Sequence, residues 1–149
     1  MSLNKKKKNL ILLALAAGIY ILAQKGEMNF NDVPLEYEPP GTTVQKAFIN
    51  QQSDVQILGK GRVRKVLRDD TKGLQHQKFI LEISSEYTVL VAHNIDVAPR
   101  IPDLKAGDQV QFYGEYEWTA KGGVIHWTHR DSSGRHPDGW LKHNGKTYQ

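Results

Sequence analysis

All six histidines of this 149-residue chain fall in its second half: His76, His93, His126, His129, His136 and His143. Imidazole is the usual protein metal ligand and the usual acid–base group near neutral pH. The densest run is His126-Trp-Thr-His129-Arg-Asp131. Residues two apart on a strand share a face and residues three apart do not. His129 therefore goes with Asp131, Trp127 and Ile125, and His126 goes with Thr128 and Val124. Only a bulge at the strand end would bring the two rings together. His76 and His93 make a second pair. A hairpin centred near Ser85-Glu86 sets His76 opposite residue 95 and His93 opposite Lys78, with both histidines on one face. A one-residue slip of register destroys that arrangement.

A zinc site needs three or four nitrogen or oxygen ligands. His76, His93, His129 and Asp131 are the candidate set. Without metal, His93, His129 and Asp131 are the candidates for acid–base catalysis. Each has a plainer alternative. A neutral histidine at a strand end hydrogen-bonds a loop carbonyl, and Asp131 before Ser132-Ser133-Gly134 shapes a turn. The run Asn94-Ile-Asp96-Val-Ala-Pro-Arg100 supplies candidate ligand-binding groups. Arg100 can grip a phosphate or carboxylate bidentately, or else pair with Asp103 or Asp108. Tyr113, Tyr116, Trp118, Trp127, Trp140 and Tyr148 could stack bases or sugars; half alternate into the core, leaving Tyr113 and Trp140 exposed, and Trp127 and Tyr113 join the ligand-binding candidates. Glu115 and Glu117 share a strand face; they form a carboxylate pair or, more plainly, a solvated stripe. Gly59-Lys-Gly61 lacks the rest of a phosphate loop and reads as a bend in a strand.

The elements that must hold these groups are mostly strands. Thr42-Thr-Val-Gln45 matches a capping box and opens a short helix over about 43–53. Strands follow over 57–67, 76–84, 87–93, 109–118 and 124–130, where 109–118 alternates most cleanly. Asp69-Asp-Thr-Lys-Gly73 and Lys121-Gly-Gly123 are turn signals. Residues 94–108 form a long connection, and 132–149 read as loop. Five strands with a long third-to-fourth connection point to a small OB-like barrel with a short N-terminal helix. An open five-stranded meander with a helix on one face is the alternative.

The chain carries 20 basic and 16 acidic residues, a formal charge of +4. Lys5, Lys6, Lys7, Lys8 and Lys25 account for that excess. Removing them leaves 15 basic against 16 acidic residues after position 25. A polyanion-binding domain usually shows a basic excess of its own, so nucleic acid is not favoured by the charge of the body. The 39% apolar content is that of a globular protein. The absence of cysteine excludes a disulfide scaffold, a thiol nucleophile and a cysteine metal site. Lys5–Lys8 precede an uncharged apolar run, residues 10–23. That run suits a signal peptide or a short membrane anchor covering residues 1–25. The positive-inside rule sends the rest of the chain out of the cytoplasm, to the periplasmic or outer side. Residues 26–42, with Pro34, Pro39 and Pro40, form a linker to a domain over 43–149.

Four stretches resemble a family of small uncharacterised bacterial proteins known only as a domain of unknown function. They are His76-Gln77-x-Phe79; Ala92-His-Asn-Ile-Asp-x-Ala-Pro-Arg100; Gly107-Asp through Gly114-Glu-Tyr to Gly122-Gly-Val-Ile-His-Trp-Thr-His129-x-Asp131; and Gly139-Trp-x-x-His143-x-Gly-Lys-x-Tyr148. The resemblance covers about 56–149. It implies one domain behind a leader or anchor and brings no activity with it. Two functions follow from the residues. The first is an exported or membrane-anchored OB-like module that binds an oligomeric or anionic ligand, whether nucleic acid, glycan or protein. The second is a hydrolase of the phosphodiester class that uses histidine and aspartate, with or without a divalent metal such as zinc.

Overall fold

The structure is a computed structural model and describes residues 43–149. The leader or anchor expected over 1–25, and the linker after it, lie outside the described residues. Among the described residues no helix is long and apolar enough to cross a membrane. One short helix, α1 (Val44–Ile49), precedes seven strands: β1 (Val55–Val66), β2 (His76–Glu82), β3 (Thr88–Asn94), β4 (Gln109–Glu117), β5 (Val124–His126), β6 (Trp140–His143) and β7 (Lys146–Tyr148).

Helix α1 starts one residue later than the capping box predicts. Thr43, not Thr42, is the N-cap, and its hydroxyl accepts the Lys46 N–H at 3.2 Å. The helix also stops early. Gln51 takes a left-handed φ of 50° just past the Asn50 C-cap, which ends any helix there. Val44 and Ala47 enter the core. Phe48 stacks on Trp118, whose indole N–H donates to the Phe48 carbonyl.

The first five strands close a barrel. β1 pairs antiparallel with β2 and also with β4; β2 pairs with β3, and β5 joins β3 in parallel and β4 antiparallel. The double pairing of β1 requires a bend. Val55 to Arg62 run beside β4, Arg62 to Val66 run beside β2, and the register shifts between Val63 and Lys65. Gly61 stands at the changeover. A Cβ there would lie 2.7 Å from the Glu82 carbonyl oxygen, so the close approach of the two backbones needs glycine. The barrel is filled by one alternating face of each strand. Phe79, Leu81, Val91, Phe112, Tyr116 and Ile125 are fully buried within it.

The tail is not loop throughout. Residues 140–143 and 146–148 form a hairpin across Asn144-Gly145, both at positive φ, as a two-residue primed turn requires. β6 pairs with Val110–Tyr113, along the part of the β4 edge that β5 leaves open. His143, the last residue of β6, is buried, with Nε2 3.0 Å from the Asp108 carboxylate.

A Gly61→Ala variant should cost roughly 1–3 kcal/mol, the range for overpacking a closed contact. It should lower the melting temperature by several degrees without changing the far-UV circular dichroism. An unchanged melting temperature would show that the bend tolerates a side chain.

Candidate functional site

The β2–β3 register decides where the histidines go. Opposed residues pair as His76 with Asn94 and His93 with Gln77. The ladder is thus one residue out of step with the hairpin expected from Ser85-Glu86, and the expected common face for His76 and His93 does not exist. His93 and Gln77 point inward and are fully buried; His76 and Asn94 point outward and are half-buried.

Both inward groups are polar, and both bond backbone or side chain. The Gln77 amide donates to the Ile101 carbonyl and accepts the Ile101 N–H, each at 2.9 Å. His93 Nε2 lies 3.0 Å from the Pro99 carbonyl, and Nδ1 lies 2.8 Å from Thr128 Oγ1. A carbonyl only accepts, so Nε2 carries the proton and Nδ1 accepts the Thr128 hydroxyl. His93 is therefore a neutral ring with both nitrogens used. Together the two side chains pin the long connection 95–108 across the barrel, with Ile101 wholly buried.

β5 is shorter than expected. Trp127 adopts a left-handed φ of 50°, and the strand stops at His126. Alternation ends there, so the sharing of faces predicted for 124–130 does not hold past His126. Thr128 is buried against His93 while His129 stays half-exposed. The β3–β5 ladder registers only Leu90 with Val124 and Val91 with Ile125. Ala92 to Asn94 have no strand beside them on that side among the described residues. Where the seam opens, a groove of about 260 Å³ forms. Leu74, Val97, Ala92 and Trp127 give it apolar walls, and His76, Asn94, His126 and His129 add polar edges. Leu74 and Val97 are 62% and 59% exposed, two of the three large apolar side chains so exposed among the described residues. The structure thus brings His76, His129, Asn94 and Trp127 to one groove and keeps His93 beneath it.

The remaining candidates hold loops. Asp131 accepts the Ser133, Arg135 and His136 N–H groups and the Ser133 hydroxyl. The Ser133 hydroxyl and these backbone donors hold its carboxyl far below the usual carboxylate range. Asp96 accepts the Gln75 N–H, and Asn94 Oδ1 accepts the Asp96 N–H. Arg100 pairs with Asp69 through two nitrogens, at 3.1 and 3.3 Å, rather than with Asp103 or Asp108. Tyr113 packs on Trp140, away from the groove.

The loop that Asp131 organises delivers His136 to the outer face of β4. His136 stacks on Trp127 with ring centroids 4.0 Å apart, and its Nε2 lies 2.7 Å from Glu115 Oε2. Its Nδ1 lies 2.8 Å from the Pro137 carbonyl. Both partners are acceptors, so this geometry favours the ring with both nitrogens protonated. Desolvation opposes that charge; the Glu115 bond, the Pro137 carbonyl and the charges of Glu115 and Asp131 outweigh it and raise the ring's pKa. His126, directly across from Glu115, lies with Nε2 3.3 Å from Glu115 Oε1 and 3.9 Å from Glu117 Oε1. Neither contact is aligned as a hydrogen bond, and that nitrogen is buried without a partner. Burial lowers the His126 pKa, with Glu115 and Glu117 pulling the other way. The sequence offered a sign of this cluster in the shared face of Glu115 and Glu117. Its convergence with His126 and His136 needed the β4–β5 register and the 131–136 turn.

A closed five-stranded barrel with a seam groove and an adjoining carboxylate–imidazole cluster defines a small β-barrel domain. The chain belongs to the family described as protein of unknown function (DUF3465), which it matches over residues 27–149. No curated protein matches it.

His93 makes stability depend on pH. Burial, set against the Pro99 hydrogen bond, lowers its pKa from 6.5 to about 4. Between those values the unfolded chain binds a proton that the folded ring refuses. Stability is therefore full above about pH 6.5 and falls as pH drops toward 4, by up to about 3 kcal/mol. Urea unfolding of the wild type from pH 7.5 to 4.5 should show this slope. A His93→Gln variant should be less stable at pH 7 and should flatten it. An equal slope in the variant would assign it to other groups.

Proposed function

We propose that the domain is a binding module of OB type and that its groove receives an extended peptide segment of a partner protein. Support for OB type comes from the closing strand order 1-2-3-5-4 back to 1, the parallel 3–5 pairing and the bend in the first strand. OB barrels bind along the strand 2–3 face, and His76, Ala92 and Asn94 lie on it.

The observation that carries the binding reading is the opened seam. On the side away from β2, Ala92 to Asn94 have no strand beside them among the described residues, and there Leu74 and Val97 stand exposed over an apolar groove. An extended chain can add to such an edge by backbone hydrogen bonds while an apolar side chain enters the groove. Nucleic acid and glycan fit less well. The groove lining carries no lysine or arginine, and the body has no basic excess. The hydrolase reading through His93, His129 and Asp131 draws little support, because His93 and Asp131 are spent on structural hydrogen bonds. Lys5–Lys8 and the apolar run 10–23 support export or anchoring, so the partner belongs outside the cytoplasm.

Peptide, glycan and single-stranded oligonucleotide arrays probed with the full chain would test this. Peptides with an apolar or aromatic residue in an extended stretch should bind. Leu74→Asp or Val97→Asp should weaken them at least tenfold with the melting temperature held. Peptide binding indifferent to both variants, or binding of glycan or oligonucleotide that depends on them, would overturn the proposal.

A further inference from the structure

The groove leaves one group of residues unexplained. Glu115, Glu117 and His126 present one ligand atom each, all within 4.8 Å of one another. Glu115 and His126 are direct cross-strand partners, and Glu117 follows Glu115 on the same face. The trio therefore stands on paired strands rather than on loops, the kind of support that fixes ligand geometry.

We propose that Glu115, Glu117 and His126 form a binding site for a first-row divalent transition ion, with zinc as the preferred occupant. The distances carry this. A tetrahedral zinc with bonds of about 2.0–2.2 Å holds its ligand atoms about 3.3–3.6 Å apart. His126 Nε2 and Glu115 Oε1 are already 3.3 Å apart. The gap from His126 Nε2 to Glu117 Oε1 is 3.9 Å and must close by a few tenths of an ångström. The Glu117 side chain is 38% exposed, so it is free to make that adjustment.

The unpaired His126 nitrogen points the same way. A buried ring nitrogen without a hydrogen bond costs free energy. A cation between it and the two carboxylates would use its lone pair. Imidazole with two carboxylates favours zinc or a neighbouring transition ion over magnesium or calcium, which take oxygen ligands. His136 is a positioning residue here. Its Nε2 lies 2.7 Å from Glu115 Oε2 and holds that oxygen, which leaves Oε1 facing His126. A hydrogen bond that orients a ligating carboxylate is a regular feature of metal sites. Asp54 is the other charged group felt by His126.

Three protein ligands leave a coordination position open. His126 is the one member of the trio that also lines the groove. The metal site does not depend on the peptide reading, and each can fail alone.

The test is a calorimetric titration of the untagged full chain with zinc chloride, followed by elemental analysis after dialysis. One zinc per chain is expected. Glu117→Gln and His126→Ala should each weaken binding at least tenfold. His129→Ala and His76→Ala, at the groove's other histidines, should leave it within about twofold. His136→Gln keeps a donor near Glu115 and should weaken zinc less than the ligand variants do. If His126→Ala misfolds, the exposed Glu117→Gln decides the question alone. The absence of saturable binding, or binding that survives Glu117→Gln, overturns the proposal. Zinc lost on His129→Ala or His76→Ala but kept in Glu117→Gln would also overturn it and would place the metal in the groove.

Discussion

One buried imidazole ties together the three parts of the molecule that meet at the groove. His93 sits on β3, accepts a hydroxyl from the segment after β5 and donates to the connection before β4. The β3–β5 ladder has two registered pairs, which is little to hold a barrel shut. The Thr128 bond continues that seam through side chains after the backbones have parted. If the bond fails, the 127–139 loop loses its tie to β3 and keeps its contact with β4 through His136 and Glu115. The groove wall and the His136 stack both rest on Trp127. A neutral, fully bonded histidine is a demanding device, because removing either partner leaves a polar atom stranded in an apolar interior.

The polar interior also explains the long connection 95–108. It has no helix to satisfy its own backbone. Gln77 meets both groups of Ile101, and His93 meets the Pro99 carbonyl. That fixes Ile101 as a plug for the core. The motif Ala92-His-Asn-Ile-Asp-x-Ala-Pro-Arg100 is in this sense mainly architecture. Asn94 and Asp96 fold the chain back, Asp96 and Arg100 bind the β1–β2 loop through Gln75 and Asp69, and His93 and Pro99 lock to each other.

Much of the barrel was legible in the sequence. Alternation over 109–117, the glycine bend in β1 and the turn signals around Gly73 and Gly123 were enough to place five strands. The site was less legible, for reasons tied to particular residues. A turn between β2 and β3 one residue out of the expected register sent His93 inward and kept His76 outside, and periodicity alone does not fix register. Trp127 at positive φ broke the alternation on which the grouping of His129 with Asp131 rested; a tryptophan gives no sign of that conformation. Asn144-Gly145 was a readable hairpin signal, hidden in a stretch whose Gly, His and Lys content looked like loop. His136 is brought to Glu115 by a turn built around Asp131, a contact across 21 residues that no local pattern encodes.

The pairing of β1 with β4 has a kinetic consequence. Its partners run from Val55 with Tyr116 to Arg62 with Gln109, so every rung joins residues about half the domain apart in sequence. Loop-closure entropy must be met before such contacts return anything. The β2–β3 hairpin can form early and alone, but the barrel closes late, in the slow regime of non-local β proteins. Until then the chain exposes one edge of β1 and one of β4. The interval between hairpin and closure is thus the stage at which this chain is most open to wrong partners.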